Sequence, residues 1–201
     1  MVGSKKFFDL GYPSLTNGWV ATLGPSQELK FDPHTGKEDF TDQRRVGQFI
    51  ETWRPGQEWL PQPICLHFED LGRKLRRADR IFHNGVGPFI SEEAVSVMRP
   101  LLEREGHVLP LKVINSCENF YLWWVPWVEN SVDLGLSQKF PNGRSVKQYA
   151  FNESKVVGLT AFRPHYEEMY NPDAQGKVLV SEEFKQEWLS AGLTGIEFKP
   201  T

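Results

Sequence analysis

The chain has 201 residues and a formal net charge of −3, which is too small to indicate a nucleic-acid or membrane partner. Hydrophobic residues make up 39% of it, with 14 Phe and 7 Trp, and this composition excludes an intrinsically disordered chain. No apolar run of signal-peptide length precedes Asp9, and the longest apolar stretch, Tyr121 to Val128, is too short to span a membrane. We therefore expect a cytoplasmic protein with one domain over residues 1–201.

The first third of the chain, residues 1–62, predicts loop-rich structure. Short strands are predicted at Lys6–Leu10 and Gly18–Leu23, but prolines and glycines then interrupt the sequence without a sustained periodicity. Prolines and glycines also cluster between residues 60 and 85. This clustering predicts a loosely packed N-terminal subregion, 1–62, followed by a better-ordered region, 80–201.

Two similar modules dominate the better-ordered region. In each, an apolar strand-like run ends in Ser-Glu-Glu, enters an amphipathic helix and returns through Gly into another strand; the first module spans Pro88–Leu111 and the second Val178–Pro200. Ser91 and Ser181 are predicted helix N-caps, because a serine hydroxyl accepts a free backbone N–H. The paired glutamates oppose the positive end of each helix dipole.

The helices are predicted over about 91–105 and 181–190. Pro100 is expected to kink or split the first helix because proline removes one backbone hydrogen bond, and Gly192 fits a left-handed residue after the second. Because the helices differ in length, we expect convergence rather than an internal repeat. Strands without regular βαβ alternation predict an α+β fold with a mixed or antiparallel sheet. Further strands are predicted at Leu109–Val113, Tyr121–Trp124, Lys147–Phe151, Val156–Arg163 and Lys177–Val180.

An aromatic tract lies at Phe120–Val128. Because Trp and Tyr dominate the hot spots of protein interfaces, Trp123, Trp124 and Trp127 are candidate partner-binding residues. The alternative is that half of these rings alternate into the core of a strand. Pro126 favours an edge strand or bulge, so we expect Trp123 or Trp127 to be the exposed ring.

Two charged stretches offer further candidates. Glu167 and Glu168 lie among aromatic residues and suit a basic partner, although an exposed hairpin explains them equally well. Residues 73–80 include five basic side chains, which can contact phosphates or an acidic protein. A solvated helix face or loop is the ordinary alternative, and the aromatic residues that bind single strands are absent from the run. A nucleic-acid partner is therefore not expected.

Catalytic and metal-binding motifs are not apparent. Cys65 and Cys117 lack the spacing of a zinc site, and the histidines lack any metal-ligand spacing: His34, His67, His83, His107 and His165. We predict no cofactor, metal or catalytic residue. A catalytic triad formed by residues far apart in the sequence is the open alternative. A small hydrolase of this kind would use His83, Cys117 and Asp133.

Both modules resemble one bacterial family, the immunity proteins of polymorphic toxin systems, in the group called immunity protein family eleven. The resemblance is carried by Gly87–Ala94, Met98–Glu103, Gly106–Asn115, Val180–Lys185 and Ala191–Phe198. It covers roughly 80–201, and more weakly the first third, and it departs from the family at Ser116–Asn119, where an aspartate-containing stretch is expected.

The resemblance implies a non-enzymatic protein that binds a cognate toxin domain and blocks its active site or folding. The family has no catalytic motif to carry over. The alternatives are a small cytosolic hydrolase and an interaction or scaffold module that uses the basic run 73–80. Salt-sensitive binding to nucleic acid would favour the interaction or scaffold module over the immunity protein and the hydrolase.

Overall fold

The computed structural model describes a set of separate ranges along the chain: 6–11, 19–24, 30–31, 38–39, 41–70, 73–81, 87–139, 141, 146–165 and 177–201. Within these ranges the fold is α+β with mixed sheets, as predicted. No described helix is long and apolar enough to cross a membrane. The division into subregions 1–62 and 80–201 stays a prediction.

The described ranges contain four helices: α1 (Thr41–Thr52), α2 (Glu92–Glu105), α3 (Glu153–Val156) and α4 (Glu182–Ser190). The two predicted helices, α2 and α4, are confirmed, and α2 continues through Pro100 without the predicted break. The prediction of a loop-rich first third is wrong in part, because α1 forms there. Its buried residues Val46 and Ile50 have helical spacing, but the pattern is too short to be recognised beside Gly47.

Both predicted N-caps are confirmed. The Ser91 hydroxyl accepts the backbone N–H of Ala94 at 3.1 Å, and the Ser181 hydroxyl accepts that of Phe184 at 3.4 Å. Gly192 follows α4 with a φ of +70°, the left-handed conformation that glycine adopts without strain. The Ser-Glu-Glu sequences therefore determine where each helix begins.

A five-stranded sheet contains strands from both ends of the chain. Its order is β12 (Trp127–Val128), β15 (Ala161–Pro164), β16 (Leu179–Ser181), β1 (Phe7–Gly11) and β17 (Glu197–Pro200). Its pairs are antiparallel except β12 with β15. The strand predicted at Val156–Arg163 is wrong in its first half, where α3 ends and a loop leads into β15.

A six-stranded sheet contains the middle of the chain. Its order is β2 (Val20–Leu23), β5 (Gln62–His67), β10 (His107–Val113), β11 (Phe120–Trp124), β9 (Phe89–Ser91) and β8 (Arg80–Ile81). Its pairs are antiparallel except β5 with β10. Three hairpins complete the described strands: β3 (Lys30–Phe31) with β4 (Glu38–Asp39), β6 (Glu69–Asp70) with β7 (Arg73–Lys74), and β13 (Gln138–Lys139) with β14 (Val146–Gln148).

The two modules have the same strand order and the same register. In the first module the order is β8, β9, β11, β10, with α2 connecting β9 to β10; in the second it is β15, β16, β1, β17, with α4 connecting β16 to β17. Tyr121 of β11 lies opposite Ile90 and Pro110. Phe8 of β1 lies opposite the matching residues, Val180 and Pro200.

Equal spacing accompanies this equal register. The same number of residues separates Ser91 from Pro110 as separates Ser181 from Pro200. One difference lies in chain order, because β11 follows β10 directly whereas its counterpart β1 comes from the opposite end of the chain. Two modules that agree in order, register and spacing favour an internal repeat over the convergence expected from helix length.

The cores follow from this arrangement. One buried cluster joins the helix-facing sides of both modules and includes Ile90, Val180 and Trp123. The outer side of the first module buries Ile81, Phe89 and Phe120 with residues of α1. The outer side of the second module buries the three equivalent residues in a separate cluster with Val156 of α3: Phe162, Leu179 and Phe7.

Candidate functional site

Two of the predicted partner-binding tryptophans are core residues. Trp123 is 1% exposed and stacks on Phe184 with a centroid distance of 5.2 Å; its indole N–H donates to the carbonyl of Leu102 at 3.0 Å. Trp124 is 7% exposed and packs edge-on against Trp53 at 5.4 Å. Because both rings are buried, the prediction that Trp123 and Trp124 bind a partner is wrong, and both are structural residues. The alternative placed half of the tract's rings in one core, whereas Trp123 and Trp124 enter two different cores.

Trp127 remains a candidate surface ring. It lies on β12, the edge strand that Pro126 predicts, and it is half-buried. The Arg163 guanidinium stands 3.9 Å from the centroid of its ring, a cation–π contact. Burial lowers the pKa of Arg163 to about 10, a value at which the side chain stays charged near neutral pH.

The other predicted candidates are placed as follows. Glu167, Glu168 and His83 lie outside the described residues. Asp133 uses its carboxylate to accept the backbone N–H groups of Gly135 and Leu136 at 2.9 and 3.1 Å. Cys117 is an exposed free thiol. The structure therefore gives Asp133 a role in its own loop.

The basic run 73–80 does not form one continuous cationic face. Arg80 is 5% exposed. Arg77 lies 3.3 Å from Glu93 and 3.2 Å from Glu118, and its pKa is raised chiefly by the hydrogen bond to Glu118. Arg73, Lys74 and Arg76 are exposed. Two of the five basic side chains thus serve contacts within the fold.

A cleft of about 650 Å³ opens at the second module, between the first turn of α4 and outer-side residues such as Phe7 and Val156. Its volume is within the usual size range of ligand pockets. Five segments line it: the start of β1, residues 149–151, α3 with Val157, the first turn of α4, and the end of β17 with Thr201. Thr201 is held at β1 because its N–H and hydroxyl both donate to the carbonyl of Phe7, at 3.2 and 3.0 Å.

Aromatic rings form much of the cleft wall. Phe7 packs edge-on against Phe151 with a centroid distance of 5.4 Å, and Phe151 stacks on Tyr149 at 5.9 Å. Val156 is buried beneath them, whereas the neighbouring Val157 is 71% exposed at the rim. An exposed valine beside an aromatic wall offers apolar surface to an incoming group.

Charged groups lie at the α4 end of the cleft. The ammonium of Lys185 is 4.1 Å from the centroid of Phe8 and 3.3 Å from the Glu182 carboxylate. The pKa of Glu182 is lowered by its hydrogen bond with Gln186 and then by Lys185 and Lys6. Lys6 is exposed and also lines the cleft. The described lining thus places Lys6, Lys185 and Glu182 at this end and a second carboxylate, Glu153, on α3.

Tyr149 adds a half-buried phenol to the lining. Burial, and secondarily the charge of Asp9, raises its pKa to about 12, so the hydroxyl stays protonated at physiological pH. The described lining contains neither histidine nor cysteine, and no metal-binding group of three His, Cys, Asp or Glu side chains occurs among the described residues. The groups present can hold an apolar side chain against the rings and pair an acidic group with a lysine.

Sequence reasoning missed this cleft because its residues are far apart in the chain. Phe7 and Phe8 lie in one predicted strand and Tyr149 and Phe151 in another, although the second strand ends at Gln148 in the structure. No local pattern indicates that Phe7 packs against Phe151. The alternation of Tyr149 and Phe151 about Ala150 is the one signal that predicts two rings on the same side of the backbone. No protein-family model matches the sequence, and no curated protein matches it significantly.

Proposed function

We propose that this chain is an immunity protein that binds a cognate bacterial toxin domain in the cytoplasm and blocks its active site or folding without catalysis. The observation that carries the proposal is the aromatic-lined cleft with its exposed apolar rim at Val157. A concave apolar pocket with a few charged groups is the type of surface that takes an anchor residue from a partner protein. The resemblance of the two modules to immunity proteins names the class of partner.

The glutamates of the modules support a binding role over acid–base chemistry. Glu93 pairs with Arg77 at 3.3 Å, and the equivalent Glu183 pairs with Arg104 at 2.9 Å. Both carboxylates lie in the first turn of a helix, where negative charge is favourable. Their positions are thus explained by the scaffold, and partner contacts are expected elsewhere, at the cleft and at Trp127.

A titration tests the proposal. The C-terminal toxin domain encoded by the neighbouring open reading frame would be purified, and its toxic activity measured against increasing amounts of this chain. A stoichiometric inhibitor protects fully at one molecule per toxin, whereas an enzyme that inactivates the toxin protects at a small fraction of that amount. Calorimetry would report the affinity directly, and an unrelated toxin domain serves as the control.

Two outcomes would count against the proposal. Failure to bind the neighbouring toxin domain would remove the class of partner. Protection at a catalytic ratio would replace the binding role with the hydrolase alternative, and substitution of Cys117 and Asp133 would then show whether they carry the reaction.

A further inference from the structure

Two charged side chains of the cleft, one of each sign, have no partner among the described residues. Lys185 and Glu182 pair with each other at 3.3 Å, and Glu182 also accepts a hydrogen bond from Gln186. Lys6 and Glu153 line the same cleft, but within the described part of the chain neither side chain makes an ion pair or a hydrogen bond. Both are exposed, so an incoming molecule can reach them.

These two charges belong to different elements of the cleft. Lys6 precedes β1, and its positive charge acts on the Glu182 carboxylate in the first turn of α4. Glu153 begins α3, the short helix that also supplies the buried Val156 to the lining. A molecule that lies in the cleft can therefore meet a cation on the α4 side and an anion on the α3 side.

Aromatic rings form the apolar part of the same cleft. Phe7 and Phe151 contact edge-on, and Phe151 stacks with Tyr149. A further ring placed against this wall gains offset-stacked or edge-to-face contacts in addition to the burial of its surface. The volume of about 650 Å³ is that of a site for a whole small molecule, so charged groups can enter together with the ring.

Desolvation disfavours the simpler classes of ligand. A wholly apolar molecule would remove water from Lys6 and Glu153 without offering them a partner, which is unfavourable. An anion would suit Lys6 but would meet the carboxylates of Glu153 and Glu182, and a cation would meet the two lysines in the same way. A molecule that carries both charges satisfies Lys6 and Glu153 together.

We infer that the cleft binds a small zwitterion that carries an aromatic ring, with its carboxylate at Lys6, its ammonium at Glu153 and its ring against Phe7 and Phe151. A free aromatic amino acid and a short peptide with an aromatic residue share this chemistry. They differ in the distance between their charges, which grows by about 3.5 Å for each added residue. The inference goes beyond the immunity role and does not depend on it, because the ligand is a small molecule rather than a toxin domain.

NMR titration of the isotope-labelled protein tests this with defined probes at neutral pH. L-phenylalanine and alanylphenylalanine are the two aromatic zwitterions; phenethylamine lacks the carboxylate, phenylpropionate lacks the ammonium, and alanine lacks the ring. We expect the better zwitterion to bind with a Kd of about 1 mM or below, and about fivefold more tightly than each probe that lacks one feature. The shifted amide signals should include those of Phe7, Ala150 and Val157, which line the cleft.

Two substitutions of exposed residues separate the charges. Lys6→Met should lower the affinity for the zwitterion to that for phenethylamine, because the ligand carboxylate loses its partner. Glu153→Gln should make phenylpropionate bind as tightly as the zwitterion. A loss of structure would instead weaken all probes together. Lys112→Met and Glu129→Gln are the matched controls, since both residues are exposed and lie outside the cleft lining, and they should stay within about twofold of the parent.

Several results would overturn the inference. Neither zwitterion might be bound saturably at the cleft, which would remove the ligand site and leave the immunity role intact. Equal affinity for alanine and phenylalanine would show that the aromatic wall takes no part. Equal affinity for phenylalanine and the two singly charged probes would contradict pairing with Lys6 and Glu153. Failure to bind the neighbouring toxin domain would leave these titrations unchanged, so the ligand site and the immunity role fail separately.

Discussion

Thr194 binds Asp79 through two hydrogen bonds to one carboxylate oxygen. The backbone N–H and the hydroxyl of Thr194 both donate to Oδ2 of Asp79 at 2.9 Å. The other oxygen, Oδ1, accepts the hydroxyl of Ser91 at 2.9 Å. Asp79 is 6% exposed, so this carboxylate ties the segment after α4 to the N-cap of α2 inside the protein.

The second module has the reciprocal contact. Thr160 lies opposite the N-cap residue Ser181, as Asp79 lies opposite Ser91, and its N–H and hydroxyl donate to Oε1 of Glu105 at 3.0 and 3.1 Å. Glu105 ends α2. Each helix end is thus bound to the start of the other module by a threonine–carboxylate pair, with the acid and the threonine exchanged.

Loss of the Asp79 carboxylate should destabilise the protein strongly. Asp79→Ala leaves the N–H of Thr194 and the hydroxyl of Ser91 without their acceptor, which we expect to cost about 3 kcal/mol of unfolding free energy. Asp79→Asn keeps an acceptor and should recover more than half of that loss. Thr194→Val removes only the hydroxyl and should cost about 1 kcal/mol. Urea unfolding measures all three, and an Asp79→Ala cost no larger than that of Thr194→Val would contradict the role of the carboxylate.

The two N-cap serines should differ in their contribution. The Ser91 hydroxyl both accepts from Ala94 and donates to Asp79, whereas the described contact of the Ser181 hydroxyl is the longer bond from Phe184. We expect Ser91→Ala to cost about 2 kcal/mol and Ser181→Ala about 1 kcal/mol. Ser96→Ala, at an exposed helix position, should stay within about 0.5 kcal/mol. Equal costs for Ser91 and Ser181 in urea unfolding would show that the bond to Asp79 adds nothing.

Local patterns predicted those parts of the fold that depend on local chemistry. The start of α2 at Ser91 and of α4 at Ser181 follows from capping, and the edge position of Trp127 follows from Pro126. These features involve neighbours within a few residues, so the sequence contains the needed information.

Features that depend on distant contacts were not predicted. Trp123 and Trp124 are adjacent in the chain but enter different cores, and which cores exist depends on helices α1 and α4. The joining of β1 to β16 and β17 pairs the two ends of the chain, which no local pattern indicates. The cleft and the internal repeat both depend on that pairing.

His67 should make stability depend on pH below neutrality. Burial lowers its pKa, and the ring nitrogen Nε2 lies 3.0 Å from the Thr22 hydroxyl. Below about pH 6.5 the unfolded chain takes up a proton at this residue that the folded protein binds less readily. The stability that the neutral His67 ring contributes is therefore present above that pH. It is lost as the pH falls toward the lowered pKa of His67 in the folded protein. His67→Gln should flatten the rise in urea midpoint between about pH 5 and 7; an identical slope in parent and variant would contradict this.

Tyr149 should ionise late in an alkaline titration. Its pKa of about 12 is due first to burial and then to the charge of Asp9, and an unfolded tyrosine ionises near about pH 10. The stability linked to this phenol is therefore present below about pH 10 and lost as the pH rises toward 12. Phenolate absorbance should show a late step in the parent that Tyr149→Phe lacks. A late step that persists in Tyr149→Phe would assign it to another tyrosine.

Gly195 and Gly158 form a matched pair that separates backbone strain from close packing. Their φ angles are +88° and +85°, but a Cβ at Gly195 would lie 2.1 Å from the carbonyl oxygen of Arg80, whereas one at Gly158 meets nothing within 4 Å. Alanine at either site must adopt the left-handed conformation, which costs about 1 kcal/mol of free energy or slightly more. At Gly195 it must also push β8 away from the segment that holds Thr194, because the Arg80 N–H donates to the Thr194 carbonyl at 3.2 Å.

We therefore expect Gly158→Ala to lower the unfolding free energy by about 1 kcal/mol and Gly195→Ala by about 3 kcal/mol or more, since overpacking adds to the strain. Thermal and urea unfolding of the two variants measure the difference directly. Because the close approach lies beside Asp79, Gly195→Ala should also weaken the contact from Thr194, and its cost should be less than additive with that of Asp79→Ala. Equal costs at the two glycines would mean that the segment after α4 can move away from β8 freely, and that the threonine–carboxylate pair does not hold the two modules together.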